Sequence, residues 1–385
     1  MSATPVPVVH VITQLELGGA QQATLETVAR LDRTRFAPQL VCGPGGMLDE
    51  EARALDDVPL HFVQELGRPL RPLRDLAAVR RVQALLAPLA QAGPVIVHTH
   101  SSKAGVVGRR AAELVGAKPV VHSIHGFGHD AIGNPAVRRL ALAIERRMAR
   151  CTDAFVGVSQ ANIDDGRALG VLGEAPAHLI RSGIDLAEYA RADGLREETR
   201  AALGLPADAP VVGMLACFKP QKAPADFVEI AARVARALPE ARFLLAGDGE
   251  LRSEVEERIA RHDLGDRFDL LGWRRDVPAL LGALDVLVLT SRWEGLPRVC
   301  PQAMAAGRPV VATRVDGIPE AVVDGRSGYL TEPGDVDGAA TRVLELLQDP
   351  ALSARFAAAG QQAVDEFGVG HMLTATERLY TELLA

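Results

Sequence analysis

The sequence predicts an α/β protein with two doubly wound parallel-sheet domains. Three observations support this fold class. Short apolar runs of strand length alternate with segments of helical periodicity along the whole chain, the pattern of parallel sheets covered by helices on both faces. The length of 385 residues suits about two domains. A polar, turn-rich stretch at 182–209 separates the two series of strands.

The predicted strands follow one another at regular intervals. The first half contains seven, at 7–13, 39–42, 60–63, 94–98, 119–124, 154–158 and 178–180. The second half contains five, at 210–215, 241–246, 268–271, 286–290 and 309–313. The helical stretches at 351–385 have no strand to pair with.

Composition narrows the class of protein. Hydrophobic residues make up 48% and charged residues 24% of the chain, which is typical of a soluble globular protein. No apolar run is long enough to span a bilayer, and residues 1–7 lack the pattern of a signal peptide, so we expect a cytoplasmic protein. The four cysteines are far apart, and reduced thiols are the simplest interpretation: Cys42, Cys151, Cys217 and Cys300.

The charge is divided unevenly between the two halves. The net charge of −7 arises from +1 over residues 1–190 and −8 over residues 191–385. An acidic second half argues against nucleic acid as the main partner. Two arginine groups accompany Leu/Ala-rich helices in the first half, and they suit either a solvated helix face or a peripheral contact with an anionic membrane. These groups are Arg68, Arg71, Arg74, Arg80 and Arg81, and Arg138, Arg139, Arg146, Arg147 and Arg150.

The most informative stretch runs from 291 to 309 and reads SRWEGLPRVCPQAMAAGRP. It places Glu294 in a Gly/Pro-containing loop between a buried strand and a helix, where open α/β sheets bind ligands and free helix N–H groups favour anions. Gln302 follows eight residues later. We therefore expect Gln302 to lie about two helical turns along and to face nearly the same way. One patch would then hold both ends of an elongated ligand.

This stretch resembles the E-G-x-P-x-x-x-x-E-A-x-A-x-G motif of retaining GT-B glycosyltransferases, in particular family 4. Six positions match: Glu294, Gly295, Pro297, Ala303, Ala305 and Gly307. Gln302 replaces the second Glu of the motif and retains hydrogen-bonding capacity without charge. The resemblance implies that Glu294, with Gly295 and Leu296 beside it, contacts the donor sugar. It implies that Gln302 holds the nucleotide ribose.

Other segments resemble the same family in the same order. The Gly18-Gly19 loop after the first strand would lie against the donor phosphates, because glycine allows close backbone approach. Lys222 occupies the Lys position of the family's R-x-x-x-x-K segment, with Cys217 at the Arg position and Lys219 as an additional cation. Both lysines would neutralise the diphosphate. Gly272 lies near the expected contact with the nucleotide base.

Histidines at the ends of the first domain's strands allow several interpretations. Strand alternation places His98 and His100 on one face. A metal site that adds His122, His125 and His129 is one alternative, although no carboxylate or thiolate completes it. The other places His100 and Lys103 at the cleft rim, near acceptor or donor. By resemblance His125 reaches the donor sugar, with a buried structural histidine as the alternative.

A sequence pattern typical of dinucleotide-binding sites also occurs, but its position in the chain argues against such a site. Residues 126–131 satisfy G-x-G-x-x-A, but they lie in mid-domain, and Asn134-Pro135 delays the next helix. We therefore reject a nicotinamide site.

The resemblance covers nearly the whole chain and implies a GT-B architecture of two Rossmann-like domains facing a central cleft. It implies an acceptor-binding domain at 1–190, a nucleotide-sugar-binding domain at 191–365, and a final helix at 366–385 that crosses back to the first domain. The expected activity is metal-independent, retaining transfer of a sugar from a UDP-linked donor, before a GDP-linked one, to a hydroxyl acceptor. No cofactor and no general base are expected.

Similar sequences serve surface-polysaccharide and glycolipid assembly, which makes a lipid-linked acceptor the first expectation. Two alternatives stay open. A nucleotide-sugar 2-epimerase has a related two-domain fold. A catalytically weak partner subunit that binds nucleotide-sugar would explain Cys217 and Gln302.

Overall fold

The computed structural model describes residues 4–67, 69, 71–128 and 132–385. The chain forms two compact units. The first comprises Met1–Gly183 and Val369–Ala385, and the second comprises Ile184–Gly368. The chain thus leaves the first unit seven residues before the expected limit at 190 and returns to it three residues after the expected limit at 365.

The first unit is built on a seven-stranded parallel sheet with the order β3-β2-β1-β4-β5-β6-β7. The strands are β1 (Val6–Gln14), β2 (Phe36–Gly43), β3 (Leu60–Phe62), β4 (Ile96–His100), β5 (Val120–Ile124), β6 (Ala154–Gly157) and β7 (Ala177–Leu179). The helices between them are α1 (Gly19–Arg30), α2 (Asp49–Arg53), α3 (Pro72–Ala92), α4 (Ser102–Val115), α5 (Pro135–Ala149) and α6 (Gln160–Ala168). All seven predicted strands of this half are confirmed.

The second unit is built on a six-stranded parallel sheet with the order β10-β9-β8-β11-β12-β13. The strands are β8 (Val211–Leu215), β9 (Arg242–Ala246), β10 (Phe268–Gly272), β11 (Val286–Leu289), β12 (Val310–Thr313) and β13 (Gly328–Thr331). The helices begin with α7 (Leu186–Tyr189), α8 (Arg196–Ala202), α9 (Pro224–Ala237), α10 (Arg252–Arg261) and α11 (Val277–Ala283). They continue with α12 (Val299–Ala305), α13 (Ile318–Ala321), α14 (Val336–Gln348) and α15 (Pro350–Ala363).

The expectation of five strands in the second half was wrong, because β13 adds a sixth at the edge of the sheet. It reads GYLT and follows a turn, so it lacks the continuous aliphatic run that marks the equally short β11 (VLVL) and the start of β12 (VVAT).

The last helix, α16 (Val369–Leu384), belongs to the first unit. It buries Met372, Leu379 and Tyr380 in a core cluster with Val8 of β1 and Ile96 of β4. Tyr380 is fully buried, and its ring meets Phe36 edge-on at 5.5 Å between centroids. Burial of these side chains fixes α16 against the sheet by removing apolar surface from water.

Strand order determines where ligands can bind. In each sheet the strand order reverses direction between two neighbours, β1 and β4 in the first unit and β8 and β11 in the second. Loops that leave the carboxyl ends of such strands diverge to opposite faces and open a crevice, which is the usual ligand site of open α/β sheets. Gly18, Gly19 and Lys103 lie after β1 and β4, and Lys219, Lys222 and Glu294 lie after β8 and β11. Other predicted site residues lie elsewhere: His125 follows β5, Gly272 ends β10 and Gln302 lies in α12.

Candidate active site

Lys222 and Glu294 form a buried ion pair at the switch point of the second unit. Lys222 lies in the loop between β8 and α9, and Glu294 lies in the loop between β11 and α12. The ammonium of Lys222 bonds Oε1 of Glu294, and the Ser291 hydroxyl donates to the same oxygen at 2.6 Å. Only 18% of the Lys222 side chain and 6% of the Glu294 side chain are exposed. Within the described part of the chain Oε2 of Glu294 accepts no hydrogen bond, so one carboxylate oxygen is free to bind a ligand hydroxyl.

The two loops are joined by further hydrogen bonds that hold this pair in place. The Thr290 hydroxyl lies 2.9 Å from the carbonyl oxygens of both Lys222 and Ala223. Gln221 accepts from the backbone N–H of Arg292 at 2.7 Å and donates its side-chain amide to the carbonyl of Trp293 at 3.0 Å. Such bonds fix the loop backbone, and a preorganised site loses less entropy when it binds a ligand.

Asp316 supports Glu294 from a third loop and was not foreseen from the sequence. Its carboxylate accepts a hydrogen bond of 2.5 Å from the backbone N–H of Glu294. Asp316 has φ of +42°, a conformation uncommon outside glycine but tolerated by Asp and Asn. The sequence signal was weak, since an Asp-Gly pair after β12 indicates a turn and nothing about its target.

The electrostatics keep the lysine charged. Burial by itself would lower the pKa of Lys222, but attraction to Glu294 and the hydrogen bond between them outweigh it, and the pKa rises above its ordinary value. Nearby, burial raises the pKa of the Cys300 thiol, so this group stays neutral beside the pair. The site therefore combines a permanent cation with an anion.

The remaining predicted donor residues lie on neighbouring loops of the same sheet edge. Lys219 is partly exposed in the β8–α9 loop, and its ammonium makes no ion pair with a described residue. Gly272 ends β10 with φ of +63° and accepts a bond of 2.7 Å from the N–H of Gly247. Gly295 and Leu296 follow Glu294 and are buried. The structure thus places all of these groups in the second unit at the carboxyl ends of its strands.

Gln302 does not stand two helical turns beyond Glu294, and this expectation was wrong. The helix α12 begins only at Val299, because the segment before it contains Gly295 and Pro297 and runs as an irregular loop. Gln302 is 7% exposed and donates its side-chain amide to the hydroxyl of Tyr189 at 2.7 Å. Its role at the ribose remains a prediction.

The glycine loop of the first unit has the expected form. Gly18 caps α1 in an extended conformation without a side-chain hydrogen bond, and Gly19 opens the helix and is exposed. A Cβ on Gly18 would lie 2.8 Å from the side-chain oxygen of Gln21, which is the end of a flexible side chain and can move aside. The first N–H groups of α1 can therefore meet a ligand directly.

His100, which is buried, and His125, which is half-buried, belong to a cluster of imidazoles in the first unit. His125 Nε2 lies 3.2 Å from His100 Nδ1, and His100 Nε2 lies 3.0 Å from His10 Nδ1. His100 is 4% exposed, so the expectation of a position at a rim was wrong for this residue. The sequence did not reveal its partner His10, which pairs in register with His98 on the neighbouring strand and so lies on the same face of the sheet as His98 and His100.

The cluster continues through Tyr380 of α16. The hydroxyl of Tyr380 lies 2.5 Å from His98 Nδ1 and 3.5 Å from His10 Nε2, and His98 Nε2 lies 2.7 Å from the Ser123 hydroxyl. Each neutral imidazole offers one N–H donor and one acceptor. Neutral rings therefore satisfy every link from His125 to Ser123, whether all the donors point along the chain of hydrogen bonds in one direction or all in the other. Burial lowers the pKa of His10 to about 3 and that of His125 to about 4, which keeps these rings neutral.

The histidines that could hold a metal differ from those that the sequence suggested. His10, His98 and His100 offer ring nitrogens within 4.8 Å of one another. His122 faces the other side of the sheet, because it pairs in register with Thr99, and its Nδ1 bonds the Thr99 hydroxyl at 2.8 Å. His129 lies outside the described residues. The nitrogens that a metal would need are already engaged in the hydrogen-bonded chain.

Lys103 lies at the start of α4, and its ammonium is held by two acceptors. These are Asp75 at 2.6 Å and the carbonyl of Pro69 at 2.6 Å. The nearby fingerprint at 126–131 is described only as far as Gly128. Helix α5 begins at Pro135, capped by Asn134.

The arginine-rich helices expose apolar side chains as well as charge. On α5, Val137, Leu140 and Ile144 are 42%, 61% and 39% exposed. On α3, Leu73 and Leu76 are 86% and 51% exposed. Arg68 lies outside the described residues. Among the described helices none combines the length and the apolar character that crossing a bilayer requires.

Each of the two units is similar to a known protein family. Residues 17–188 match the family described as Glycosyltransferase Family 4, and residues 196–363 match the family described as Glycosyl transferases group 1. The chain is 30% identical over 385 residues to the UDP-Gal:alpha-D-GlcNAc-diphosphoundecaprenol alpha-1,3-galactosyltransferase of Escherichia coli, covering 98% of this chain and 97% of the relative. It is 27% identical over 392 residues to the D-inositol 3-phosphate glycosyltransferase of Streptomyces scabiei, covering 97% and 85%.

Solved structures share the fold. The Anabaena protein HepE in complex with UDP-glucose superposes with a TM-score of 0.84 at 23% identity, covering 97% of this chain and 99% of that one. Sucrose-phosphate synthase from Thermosynechococcus elongatus superposes with a TM-score of 0.79 at 21% identity, covering 98% and 99%. The two parallel-sheet units therefore form the GT-B fold.

Proposed function

We propose a donor, an acceptor class and a mechanism on the premise that this chain belongs to the GT-B glycosyltransferases of group 1 and family 4. It is a glycosyltransferase that uses a nucleotide-sugar donor. The finer proposal is retaining transfer of a hexose from a UDP-sugar to a hydroxyl group of a lipid-linked acceptor. The observation that carries it is the buried pair of Lys222 and Glu294 at the switch point of the second sheet.

The roles of the pair follow from its chemistry. An ammonium has three N–H donors, and Lys222 uses one on Glu294, so the others can bond diphosphate oxygens. As the glycosidic bond breaks, negative charge grows on the leaving diphosphate, and a fixed cation in a buried site stabilises it. Glu294 offers its Oε2 to the sugar hydroxyls. Lys219 adds a second cation at the same edge.

Further donor contacts are proposed for Gly18, Gly19, His125 and Gln302 from the family resemblance. The N–H groups behind Gly18 and Gly19 contact the donor phosphates. His125 is neutral at physiological pH and orients the sugar as a hydrogen-bond partner. Gln302, placed by Tyr189, contacts the ribose.

The transfer step needs no side-chain base. The acceptor oxygen forms a bond to the anomeric carbon on the face from which the diphosphate leaves. The bond between that carbon and the phosphate oxygen breaks, and its electron pair stays on the diphosphate. The acceptor's proton passes to the departing phosphate oxygen. Configuration is retained, and the products are the glycoside and UDP.

The choice of donor and acceptor draws on the relatives. The printed name of the E. coli relative gives UDP-galactose as its donor and a diphosphoundecaprenol-linked sugar as its acceptor. The shared fold accommodates UDP-glucose in HepE. The exposed apolar and basic faces of α3 and α5 support peripheral contact with an anionic membrane at its cytoplasmic face.

The test is release of UDP from UDP-galactose, UDP-glucose and UDP-N-acetylglucosamine, with and without a short-chain lipid-diphosphate sugar as acceptor. Acceptor-dependent release of UDP, and an α-linked product by NMR, would support the proposal. Conversion of UDP-N-acetylglucosamine to its 2-epimer without acceptor would identify an epimerase instead. Nucleotide binding without turnover of any donor would identify a binding subunit.

A further inference from the structure

We infer that a cavity in the first unit binds the phosphate groups of the acceptor; the identity of this ligand rests on the proposed function. The cavity has a volume of about 240 Å³. It lies at the carboxyl ends of four adjacent strands: Gln14 ends β1, Pro44 follows β2, Leu66 follows β3 and Lys103 follows β4. This is the ligand-binding edge of the first sheet, at its switch point.

Cations dominate the charged groups that line the cavity. Arg71, Arg74 and Lys103 contribute positive charge and Glu65 contributes the negative charge. Asp75 already compensates Lys103 at 2.6 Å. The guanidinium groups of Arg71 and Arg74 make no ion pair with a described residue, so two cations stand uncompensated. Arginine's planar fork suits phosphate oxygens better than any other side chain.

The carboxylate of Glu65 does not cancel this charge. Its Oε1 lies 3.9 Å from the guanidinium of Arg81, which is outside the cavity lining. Gln14 bonds its side-chain amide to the carbonyl of Pro44 at 2.9 Å, and its own carbonyl accepts from Gln21 of α1 at 3.3 Å. The cavity wall is therefore tied to the helix that the Gly18-Gly19 loop opens.

Apolar surface beside the arginines indicates what the phosphate is attached to. Leu73 and Leu76 alternate with the arginines at the start of α3 and are 86% and 51% exposed. The same helix buries its other face through Ala78 and Val82, so the leucines are not needed for the core. Pockets of about 300–1,000 Å³ hold drug-sized ligands. This smaller cavity suits a head group whose hydrocarbon continues over the leucines.

A diphosphate that joins a sugar to a lipid matches each of these features. A neutral glycoside would leave the arginines without an anionic partner. A free nucleotide would leave the leucines without an apolar group to pack against.

The first experiment measures binding of decyl diphosphate to the full-length protein by calorimetry, with saturating UDP present to occupy the donor site. Arg71→Gln combined with Arg74→Gln should raise the Kd at least about tenfold, because two charge-assisted phosphate contacts are lost. Arg80→Gln is the matched control, since Arg80 is exposed on the same helix and does not line the cavity. Leu73→Ser should weaken binding of decyl diphosphate and leave binding of inorganic pyrophosphate unchanged.

The second experiment separates the acceptor from a membrane lipid and from the proposed function itself. Binding to phosphatidylglycerol vesicles is compared for the same variants. If the double variant loses vesicle binding but keeps decyl diphosphate binding, the cavity serves lipid head groups and the inference is overturned. Equal losses in the double variant and in Arg80→Gln, or no loss in either, also overturn it.

Acceptor-free hydrolysis of UDP-sugar reports on the proposed function independently. If hydrolysis persists while decyl diphosphate does not bind, the cavity assignment fails and the glycosyltransferase proposal stands. If arginine-dependent diphosphate binding persists while no UDP-sugar is turned over, the donor proposal fails and the cavity remains a phosphate site.

Discussion

The ammonium of Lys222 and the carboxylate of Glu294 form a buried ion pair between two loops that are 72 residues apart in the chain. Before donor binds, each charge compensates the other, so neither is left alone in a site of low exposure. Removing one partner from a buried pair is costly because it strands the other. The pair therefore supports the loops as well as the donor, and the proposed role of each residue must be tested with folding measured in parallel.

Glu294→Gln tests the role of the carboxylate with little change in volume. We expect turnover to fall about 100-fold or more, because a charged contact to the donor sugar is lost. Because Glu294 belongs to a buried pair, we also expect the free energy of unfolding to fall by about 1–3 kcal/mol. Steady-state transfer and urea unfolding measure the two effects.

Glu332→Gln is the matched control for this variant, since 73% of the Glu332 side chain is exposed. Near-normal turnover in a folded Glu294→Gln protein would contradict the assignment of Glu294 to the donor sugar.

Lys222→Ala tests the stabilisation of the leaving diphosphate. We expect kcat/KM to fall by an amount that corresponds to a loss of about 2–4 kcal/mol of transition-state stabilisation. The loss should be large because Cys217 stands where the family has a second cation, so Lys222 carries more of the charge stabilisation. Cys217→Arg should reduce this dependence if its guanidinium reaches the same oxygens. A double-mutant cycle on these positions, at saturating acceptor, measures the coupling.

Lys118→Ala provides the surface control, since 75% of the Lys118 side chain is exposed. If Lys222→Ala costs no more than this substitution, the diphosphate does not bind at Lys222.

The sequence predicted the positions of the strand ends and of the loops after them better than it predicted how the side chains on those loops are arranged. Strand ends follow from local patterns, and parallel topology brings the loops of Lys222 and Glu294 together without knowledge of the intervening chain. The Gln302 prediction failed because the helical spacing was extended back through Gly295 and Pro297, which α12 does not include. Boundaries of short elements depend on such breakers and on tertiary contacts.

Non-local clusters were the least predictable. His10, His98 and Tyr380 meet only when β1, β4 and α16 are packed together, and His98 and Tyr380 are 282 residues apart in the chain. The strand alternation correctly placed His98 beside His100, whose rings stack at 4.4 Å between centroids. Nothing local in the sequence indicates which helix covers that face.

Gln302→Glu tests the missing acidic residue of the family motif. We expect this variant to be tolerated, because the Tyr189 hydroxyl, which now accepts from the amide, can instead donate to a carboxylate. Gln302→Ala should raise the donor KM more than it lowers kcat, as expected for a uniform binding contact remote from the reacting carbon.

Tyr189→Phe serves as the companion variant. It should raise the donor KM in the same direction if Tyr189 positions Gln302. An unchanged donor KM in Gln302→Ala would move the ribose contact to another residue.

Chelation tests metal independence. We expect transfer in excess EDTA to equal transfer in added Mg²⁺ within about twofold, because Lys222 supplies the leaving-group charge that a metal would otherwise supply. A comparison at constant ionic strength removes the effect of salt on surface charges. Loss of activity in EDTA, restored by a divalent ion, would contradict the proposed mechanism and return attention to His10, His98 and His100.

The histidine chain predicts a loss of stability in acid. Burial lowers the pKa of His10 from 6.5 to about 3 and that of His125 from 6.5 to about 4. The folded state therefore binds fewer protons than the unfolded state below pH 6.5, and the free energy of unfolding must fall as the pH falls from there towards 4. Each such histidine contributes a slope of about 1.4 kcal/mol per pH unit in that window. The hydrogen-bond geometry also predicts that acid destabilises the folded state, since a protonated ring presents a donor where its neighbour in the chain also presents one.

Urea unfolding between pH 7 and pH 4.5 measures this slope. His10→Gln should reduce the slope, whereas His178→Gln, which changes a histidine outside the cluster, should leave it unchanged. A stability that is flat across this range would mean that the rings titrate as freely in the folded state as in the unfolded chain, and the buried neutral chain from His125 to Ser123 would then be wrong.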